Sequence, residues 1–238
     1  MKAMIFAAGL GSRLKPWTDH HPKALAIVNG KSLLQRNIEY LQKHGITEVI
    51  VNVHHFAVQI VDAIKKNNGW GSTITISDET DEVLETGGGL KKAAWYFENT
   101  TDLVVMNADI LTDMDLSAMI IQHQQQNPLA TLAVSERDTS RYFLFDEQNV
   151  LCGWRNIKTG EERISREADT LIPKAFSGIH VINANLLNLI KQERKFSMVD
   201  VYLNLAKDHI ISCYDHTGKQ LVDVGKPESI AKAEAIFL

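Results

Sequence analysis

Apolar runs of strand length alternate with segments of helical spacing through the first half of the chain, and this alternation restricts the fold more than any other feature. Residues 3–8 form an apolar run that stops at Gly9. In residues 32–43, Leu33, Leu34, Ile38 and Leu41 recur at helical spacing, with Ser32 placed to cap the helix and Gly45 to stop it. Residues 48–53 are rich in β-branched side chains, residues 57–67 carry Val58, Val61 and Ile64 on one helical face, and residues 72–77 alternate like a strand. An acidic, turn-like stretch at 78–85 leads into Thr86-Gly87-Gly88-Gly89, which reads as a loop opening a helix at 90–97. Residues 103–106 are a buried strand closing at Asn107-Ala108-Asp109, 115–126 a helix and 130–134 a strand. Strands alternating with helices predict a parallel-rich sheet with helices on both faces. Ligands of such sheets bind beyond the carboxyl ends of the strands. The Gly9 loop, the Gly87 loop and Asp109 all fall there.

The second half is less regular. Residues 141–145 and 150–154 predict a strand pair joined at 146–149, while 155–170 are polar and aperiodic and read as a loop or flap. Strands are expected at 175–182, 210–214 and 220–223, and short helices at 186–192 and 199–207. Lys226-Pro227-Glu228 starts a final helix, with Pro227 suited to its first turn. No linker or internal repeat divides the chain. Residues 1–238 therefore read as a single domain, with about 1–112 as one functional half and about 113–238 as the other.

Several function classes drop out on composition. Cys152 and Cys213 lack metal-type spacing, and a reduced, cytoplasmic setting is expected. The apolar opening is too short to span a membrane and lacks the features of a signal peptide. The formal net charge of −4 gives no sign of nucleic-acid binding, but the charge is unevenly spread. Through residue 38, six lysines and arginines stand against Asp19 alone. A basic mouth on an acidic protein suits a small polyanion better than a duplex. The pairs His20-His21 and His54-His55 have no carboxylate or cysteine in register, so they read as surface or packed histidines.

Gly9-Leu10-Gly11-Ser12-Arg13 follows the first strand directly. Glycines there let backbone N–H groups approach a ligand, and N–H groups gathered in a loop favour anions. Arg13 and Lys23 are long cationic arms that can reach a phosphate chain from two sides. The third glycine of a dinucleotide fingerprint is absent, Pro16 interrupts the helix that motif needs, and the Gly-Lys-Ser/Thr of a P-loop is missing. A nucleoside triphosphate is the expected ligand. Asp109 and Asp223 each follow apolar strand residues and should emerge at strand ends. Mg²⁺ often takes one or two carboxylates together with substrate phosphates and waters, a requirement that two such aspartates meet. Asp113 and Asp115 read as turn or cap formers.

The run Phe6-Ala7-Ala8-Gly9-x-Gly11-x-Arg13-Leu14-x-Pro16-x-Thr18, followed by Pro22-Lys23-Ala24-Leu25, resembles the signature of the sugar-1-phosphate nucleotidyltransferases. The likeness continues through Glu85-Thr86-Gly87-Gly88-Gly89, Asn107-Ala108-Asp109 and Val222-Asp223-Val224-Gly225, in the family's order. It implies a three-layer α/β/α Rossmann-like fold with a mixed, mostly parallel central sheet. It also implies a reaction in which a sugar-phosphate oxygen attacks the α-phosphorus of a nucleoside triphosphate and pyrophosphate leaves. Ala8, Gly9, Gly11, Ser12, Arg13 and Lys23 would then hold the nucleotide, with Lys23 near the α-phosphate and Arg13 toward the leaving pyrophosphate. Glu85, Thr86 and Gly87 would border the nucleobase. Arg13, Lys23 and Asp109 would be the catalytic set, and Asp109 with Asp223 would hold Mg²⁺. Backbone donors do not disclose which base is bound.

In the acceptor half the chain departs from the pattern. Many relatives carry a Glu-Lys-Pro-like motif whose lysine meets the sugar phosphate, where this sequence has Cys152-Gly153-Trp154-Arg155. Arg155 is there either as a phosphate contact or as a surface side chain. Phe176-Ser177-Gly178-Ile179-His180 resembles the strand edge that faces the sugar, with Ser177 and Gly178 as contacts, and Asn107 would bond sugar or ribose hydroxyls. The implied partners are a nucleoside triphosphate and a sugar 1-phosphate, with no nucleic acid or membrane, on a monomer or small homo-oligomer. The compact length resembles the N-acetylmuramate-1-phosphate uridylyltransferases of cell-wall recycling. The run from Leu84 to Gly89 also resembles mannose-1-phosphate guanylyltransferases. A cytidylyltransferase acting on phosphocholine and a non-catalytic nucleotide-sugar sensor are the alternatives. The full set of Arg13, Lys23, Asp109 and Asp223 argues for catalysis over sensing.

Overall fold

The computed structural model describes residues 1–237. The chain opens with β1 (Lys2–Phe6), a loop, a small hairpin of β2 (Ile27–Val28) and β3 (Lys31–Ser32), and helix α1 (Leu33–Lys43). The hydroxyl of Ser32 accepts from the Gln35 N–H at 3.1 Å, and Leu33, Leu34, Ile38 and Leu41 are buried, as their spacing predicts. β4 (Glu48–Val53), α2 (Ala57–Lys66), β5 (Thr73–Asp78), α3 (Glu85–Lys92) and β6 (Asp102–Asn107) complete this half. The four long strands lie in the order β5-β4-β1-β6 and are parallel throughout. The chain therefore moves outward from β1 to β5 and then returns to pair β6 on the other side of β1. Such a reversal opens a crevice at the carboxyl ends of β1 and β6.

Beyond it come β7 (Ile110–Thr112), α4 (Leu116–Gln126), β8 (Ala130–Ser135), β9 (Arg141–Phe145), β10 (Leu151–Asn156), β11 (Glu161–Ile164) and β12 (Ile172–Asn183). Strand β12 runs antiparallel to β6 and carries the sheet into the second half, where it also pairs with β8 and β9. Helices α5 (Asn185–Leu189) and α6 (Met198–Leu205), strands β13 (Ile211–Asp215) and β14 (Leu221–Asp223), and helix α7 (Pro227–Ile236) follow. The result is one mixed sheet of ten strands, parallel in the first half of the chain and mainly antiparallel in the remainder. β14 pairs with β7 apart from it, which sets Asp223 opposite Ile110.

Alternation along β1 explains the three layers. Met4 packs into a cluster with Leu90 of α3 and Tyr202 of α6, whereas Ala3 and Ile5 pack with Ile38 and Leu41 of α1 and Ile60 of α2. A strand buried on both faces needs this continuous apolar character. Cys152 and Cys213 are both buried free thiols. Among the described residues no helix is long and apolar enough to cross a membrane.

Three local expectations are corrected. Helix α2 docks through Ile60 and Ile64, and Val58 points outward, 71% exposed. The glycines at 87–89 belong to α3, which begins at Glu85, and do not form a loop ahead of it. All three are buried; a Cβ at Gly87 would strike the Phe196 ring, and one at Gly88 the Arg194 carbonyl oxygen. Glycine is needed there, despite its low helix propensity, because neighbours occupy the space a side chain would need, and the Gly87 and Gly88 N–H groups are both taken up by the Phe196 carbonyl. Finally, the polar segment after Trp154 is no flap at its start: β10 runs to Asn156 and turns back through β11, an antiparallel edge whose polarity suits exposure to solvent.

Candidate active site

A cleft of about 450 Å³ lies at the carboxyl ends of β1 and β6. Residues after β1 form one wall, including Ala8, Gly9, Gly11, Ser12 and Arg13; Asn107 and Asp109 at the end of β6 form another. Gly11 is required by its conformation, φ +63°, and by its neighbours: a Cβ there would stand 2.9 Å from Thr18 Cγ2 and 3.0 Å from Lys23 Cβ. The buried Thr18 hydroxyl donates to the Gly11 carbonyl at 2.9 Å. The loop is thus folded back on itself, and this fold brings Lys23 to the cleft. At Gly9 no protein atom lies within 4 Å of the position a Cβ would take, so its bare backbone is open to a ligand.

The charges converge beside this loop. Lys23 Nζ forms an ion pair with Asp109 Oδ2 and stands 4.0 Å from Asp223 Oδ1, while Arg13 Nη2 stands 3.8 Å from Asp223 Oδ2. The Val224 N–H donates to the Asp109 carbonyl at 2.8 Å, which ties the two aspartate-bearing segments together. Burial pushes the Asp223 carboxyl up, the charge of Asp109 pushes it the same way, and Lys23, Arg13 and Arg137 hold it down. Two carboxylates that face one another and share a cation suit a divalent metal completed by phosphate and water oxygens. Asp109 and Asp223 would be its protein ligands. Among the described residues no third histidine, cysteine or carboxylate gathers with them. Asp113 and Asp115 act locally: Asp113 accepts from the Gln220 N–H at 2.7 Å, and Asp115 caps α4 by accepting from Ala118 at 3.1 Å.

The family described as nucleotidyl transferase matches residues 2–237. The chain belongs to that family. It is 42% identical over 118 residues to an N-acetylmuramate alpha-1-phosphate uridylyltransferase of Neisseria meningitidis serogroup B, covering 50% of this chain and 51% of that protein. A protein of the same description from Caulobacter vibrioides is 28% identical and is matched over 98% of this chain and 95% of its own length. The crystal structure of HddC from Yersinia pseudotuberculosis shares the fold, with a TM-score of 0.79 at 23% identity and coverage of 100% and 99%. The chain spans only about half to two thirds of the length of several curated relatives it matches.

In this nucleotidyl transferase chain the cleft has a further wall that the sequence did not disclose. Asn52, near the end of β4, accepts from the Ala7 N–H at 2.7 Å and donates to Glu79 Oε1 at 2.8 Å. Glu79 is 1% exposed, and its other oxygen accepts from the Leu84 N–H at 3.4 Å. Burial pushes its carboxyl up, opposed by the bonds from Asn52 and Leu84. Both residues border the cleft with Val83, Glu85 and Thr86. Only their positions at the ends of β-branched strands hinted at a role.

Other expected contacts lie elsewhere. Gly87 donates its N–H to the Phe196 carbonyl at 2.9 Å and packs under that ring, away from the cleft lining. Ser177 is buried, its hydroxyl 2.7 Å from His216 Nε2, and its side chain is not part of the cleft lining. Gly178, φ +75°, makes room for Asn107 and Ile110: a Cβ there would stand 2.9 Å from Asn107 Nδ2. Arg155 is paired with Glu162 across the β10–β11 edge, outside the cleft. His54 is half-buried and bonds the Glu79 carbonyl through Nδ1 at 2.6 Å, while the exposed His21 stacks on Trp17. One packs and the other lies at the surface.

Proposed function

We propose that this chain transfers a uridylyl group from UTP to N-acetylmuramic acid 1-phosphate, releasing pyrophosphate, with Mg²⁺ held by Asp109 and Asp223. The observation that carries the reaction class is the convergence of Lys23, Asp109, Asp223 and Arg13 beside an open glycine backbone. Phosphoryl chemistry needs positioned cations and little covalent help. An oxygen of the sugar phosphate forms a bond to the α-phosphorus. The bond from that phosphorus to the bridging oxygen breaks, and pyrophosphate departs with its electron pair. Lys23 holds the α-phosphate, exchanging part of its contact with Asp109 for the nucleotide, and Arg13 neutralises the departing charge. Bound metal supplies Lewis-acid stabilisation of the phosphate oxygens. Asn107 offers its amide to sugar or ribose hydroxyls, and Glu85 and Thr86 border the base. In this reading the chain works as a single unit, with residues up to about 112 serving the nucleotide and later ones the acceptor.

The choice of acceptor is supported by the 42% identical half and by the Caulobacter relative that matches nearly end to end. A place in the recycling of cell-wall sugars follows from that acceptor. A second reading, guanylyl transfer to a mannose or heptose 1-phosphate, is favoured by relatives that carry those descriptions. Pyrophosphate release from four nucleoside triphosphates against a panel of sugar 1-phosphates decides between them. Turnover is expected with UTP and N-acetylmuramic acid 1-phosphate, lost in EDTA and restored by Mg²⁺. Turnover only with GTP and mannose or heptose 1-phosphate selects the second reading.

A further inference from the structure

Bringing two phosphate groups together demands positive charge on the acceptor side as well as the nucleotide side. Lys23 and Arg13 serve the nucleotide side and already face Asp109 and Asp223. Several second-half cations are held by partners elsewhere. Arg155 is paired with Glu162, Lys174 with Asp215, and Arg163 with Asp200 at 2.8 Å. Arg166 donates to the Ala206 carbonyl at 3.2 Å, away from the cleft.

Arg137 differs. It lies two residues beyond the end of β8, exposed, and has no ion pair with a described carboxylate. One guanidinium nitrogen, Nη2, donates to the Phe176 carbonyl at 2.8 Å, which fixes the side chain while leaving other donors of the fork open. The Tyr142 hydroxyl accepts from the Thr139 N–H at 3.0 Å and so secures the turn that carries Arg137. The Phe176 anchor belongs to the stretch of β12 where the register with β8 shifts, just ahead of Gly178. Gly178 abuts Asn107 and Ile110, and Ile110 is the register partner of Asp223. The guanidinium is therefore anchored two residues from Gly178, whose neighbours Asn107 and Ile110 lead to the aspartate pair, just beyond the residues that line the cleft. Partial burial lowers the Arg137 guanidinium, and the charge of Asp223 opposes that shift.

We propose that Arg137 binds the phosphate of the acceptor, taking the place of the lysine that the Glu-Lys-Pro-like motif would supply. This inference rests on the transferase reading above. A planar fork anchored at one nitrogen can offer paired N–H donors to two phosphate oxygens and hold the attacking one in line. The anchor also explains why arginine suits the position better than lysine, which has no separate nitrogen to spare for Phe176 at that geometry.

The test varies one substrate at a time. Initial rates of pyrophosphate release are measured with Mg²⁺ and UTP against N-acetylmuramic acid 1-phosphate, and also with GTP against mannose 1-phosphate, for wild type, Arg137→Gln, Arg137→Lys and Arg155→Ala. Gln removes the charge while keeping a polar amide on a similar stem. Arg137→Gln should raise the acceptor KM by roughly tenfold or more, the scale of a charge-assisted hydrogen bond, and leave the nucleotide KM within about twofold. Arg137→Lys should fall between, and Arg155→Ala should match wild type. Wild-type turnover with an unmoved acceptor KM in Arg137→Gln overturns this inference alone, as does an equal rise in both KM values. Absence of turnover by the wild type with every acceptor overturns the transferase reading and this inference with it.

Discussion

Asn52 accepts from the glycine-loop N–H of Ala7 with one end of its amide and donates to Glu79 with the other. Glu79 in turn accepts from Leu84, at the entrance to α3. A single buried amide–carboxylate pair therefore ties two walls of the cleft together, with its polarity fixed by who donates. Asn52→Asp sets two carboxylates against each other, and Glu79→Gln leaves an amide donor facing a donor on one side or the other. The double variant Asn52→Asp/Glu79→Gln can remake every bond. Its new carboxylate still accepts from Ala7, its new amide donates to that carboxylate, and the amide oxygen accepts from Leu84, so only the middle link is reversed. Each single change is expected to lose about 1–3 kcal/mol, the cost of an unsatisfied buried polar group, and the double variant to recover much of it. Urea unfolding of the four proteins measures the coupling. Additive losses would show that the two residues do not act as a pair.

At the scale of elements, α3 is the instructive case. Alanine normally favours a helix over glycine by about 1 kcal/mol, so Gly88→Ala should stabilise an isolated helix. In this fold the added Cβ meets the Arg194 carbonyl oxygen, and α3 cannot withdraw because Gly87 and Gly88 both donate to the Phe196 carbonyl. Overpacking of this kind costs about 1–3 kcal/mol, so Gly88→Ala should lower stability despite its helix propensity. A raised denaturation midpoint would contradict the packing of α3 against residues 194–196. The same glycines mark where the sequence became unreadable: local propensity says loop, and only a partner segment far along the chain makes them helical. Helix α1 was legible because its cap and its buried stripe are both local. Lys23 and Asp109 were legible through their motifs, although their ion pair joins the glycine loop to the end of β6. Asn52 and Glu79 were not, because an asparagine or glutamate at a strand end looks the same whether it turns to solvent or into a cleft. Arg155 stayed open between two roles, since a cation in a family position says nothing of the Glu162 beside it.

Across the whole molecule, the sheet joins its two halves through β12, and His180 sits on that strand between β6 and β8, 2% exposed. Its Nδ1 lies 2.6 Å from the Tyr202 hydroxyl of α6, and its ring packs edge-on to Phe176 at 4.6 Å. Burial lowers its pKa to about 3, so the folded protein keeps it neutral, while burial raises the Tyr202 hydroxyl and keeps that group protonated. The unfolded chain takes up a proton on His180 near pH 6.5, the ordinary value. Between pH 6.5 and about 3 the unfolded state therefore binds the extra proton, and the stability present above pH 6.5 is progressively lost as pH falls. By about pH 5.0 the loss from this group alone should reach about 2 kcal/mol. His180→Gln removes the titration and keeps a hydrogen-bonding side chain for Tyr202. Urea unfolding at about pH 7.5 and about pH 5.0 should show a stability drop about 2 kcal/mol smaller in His180→Gln than in wild type. Equal drops in the two proteins would mean that His180 protonates as readily in the folded sheet as in the unfolded chain.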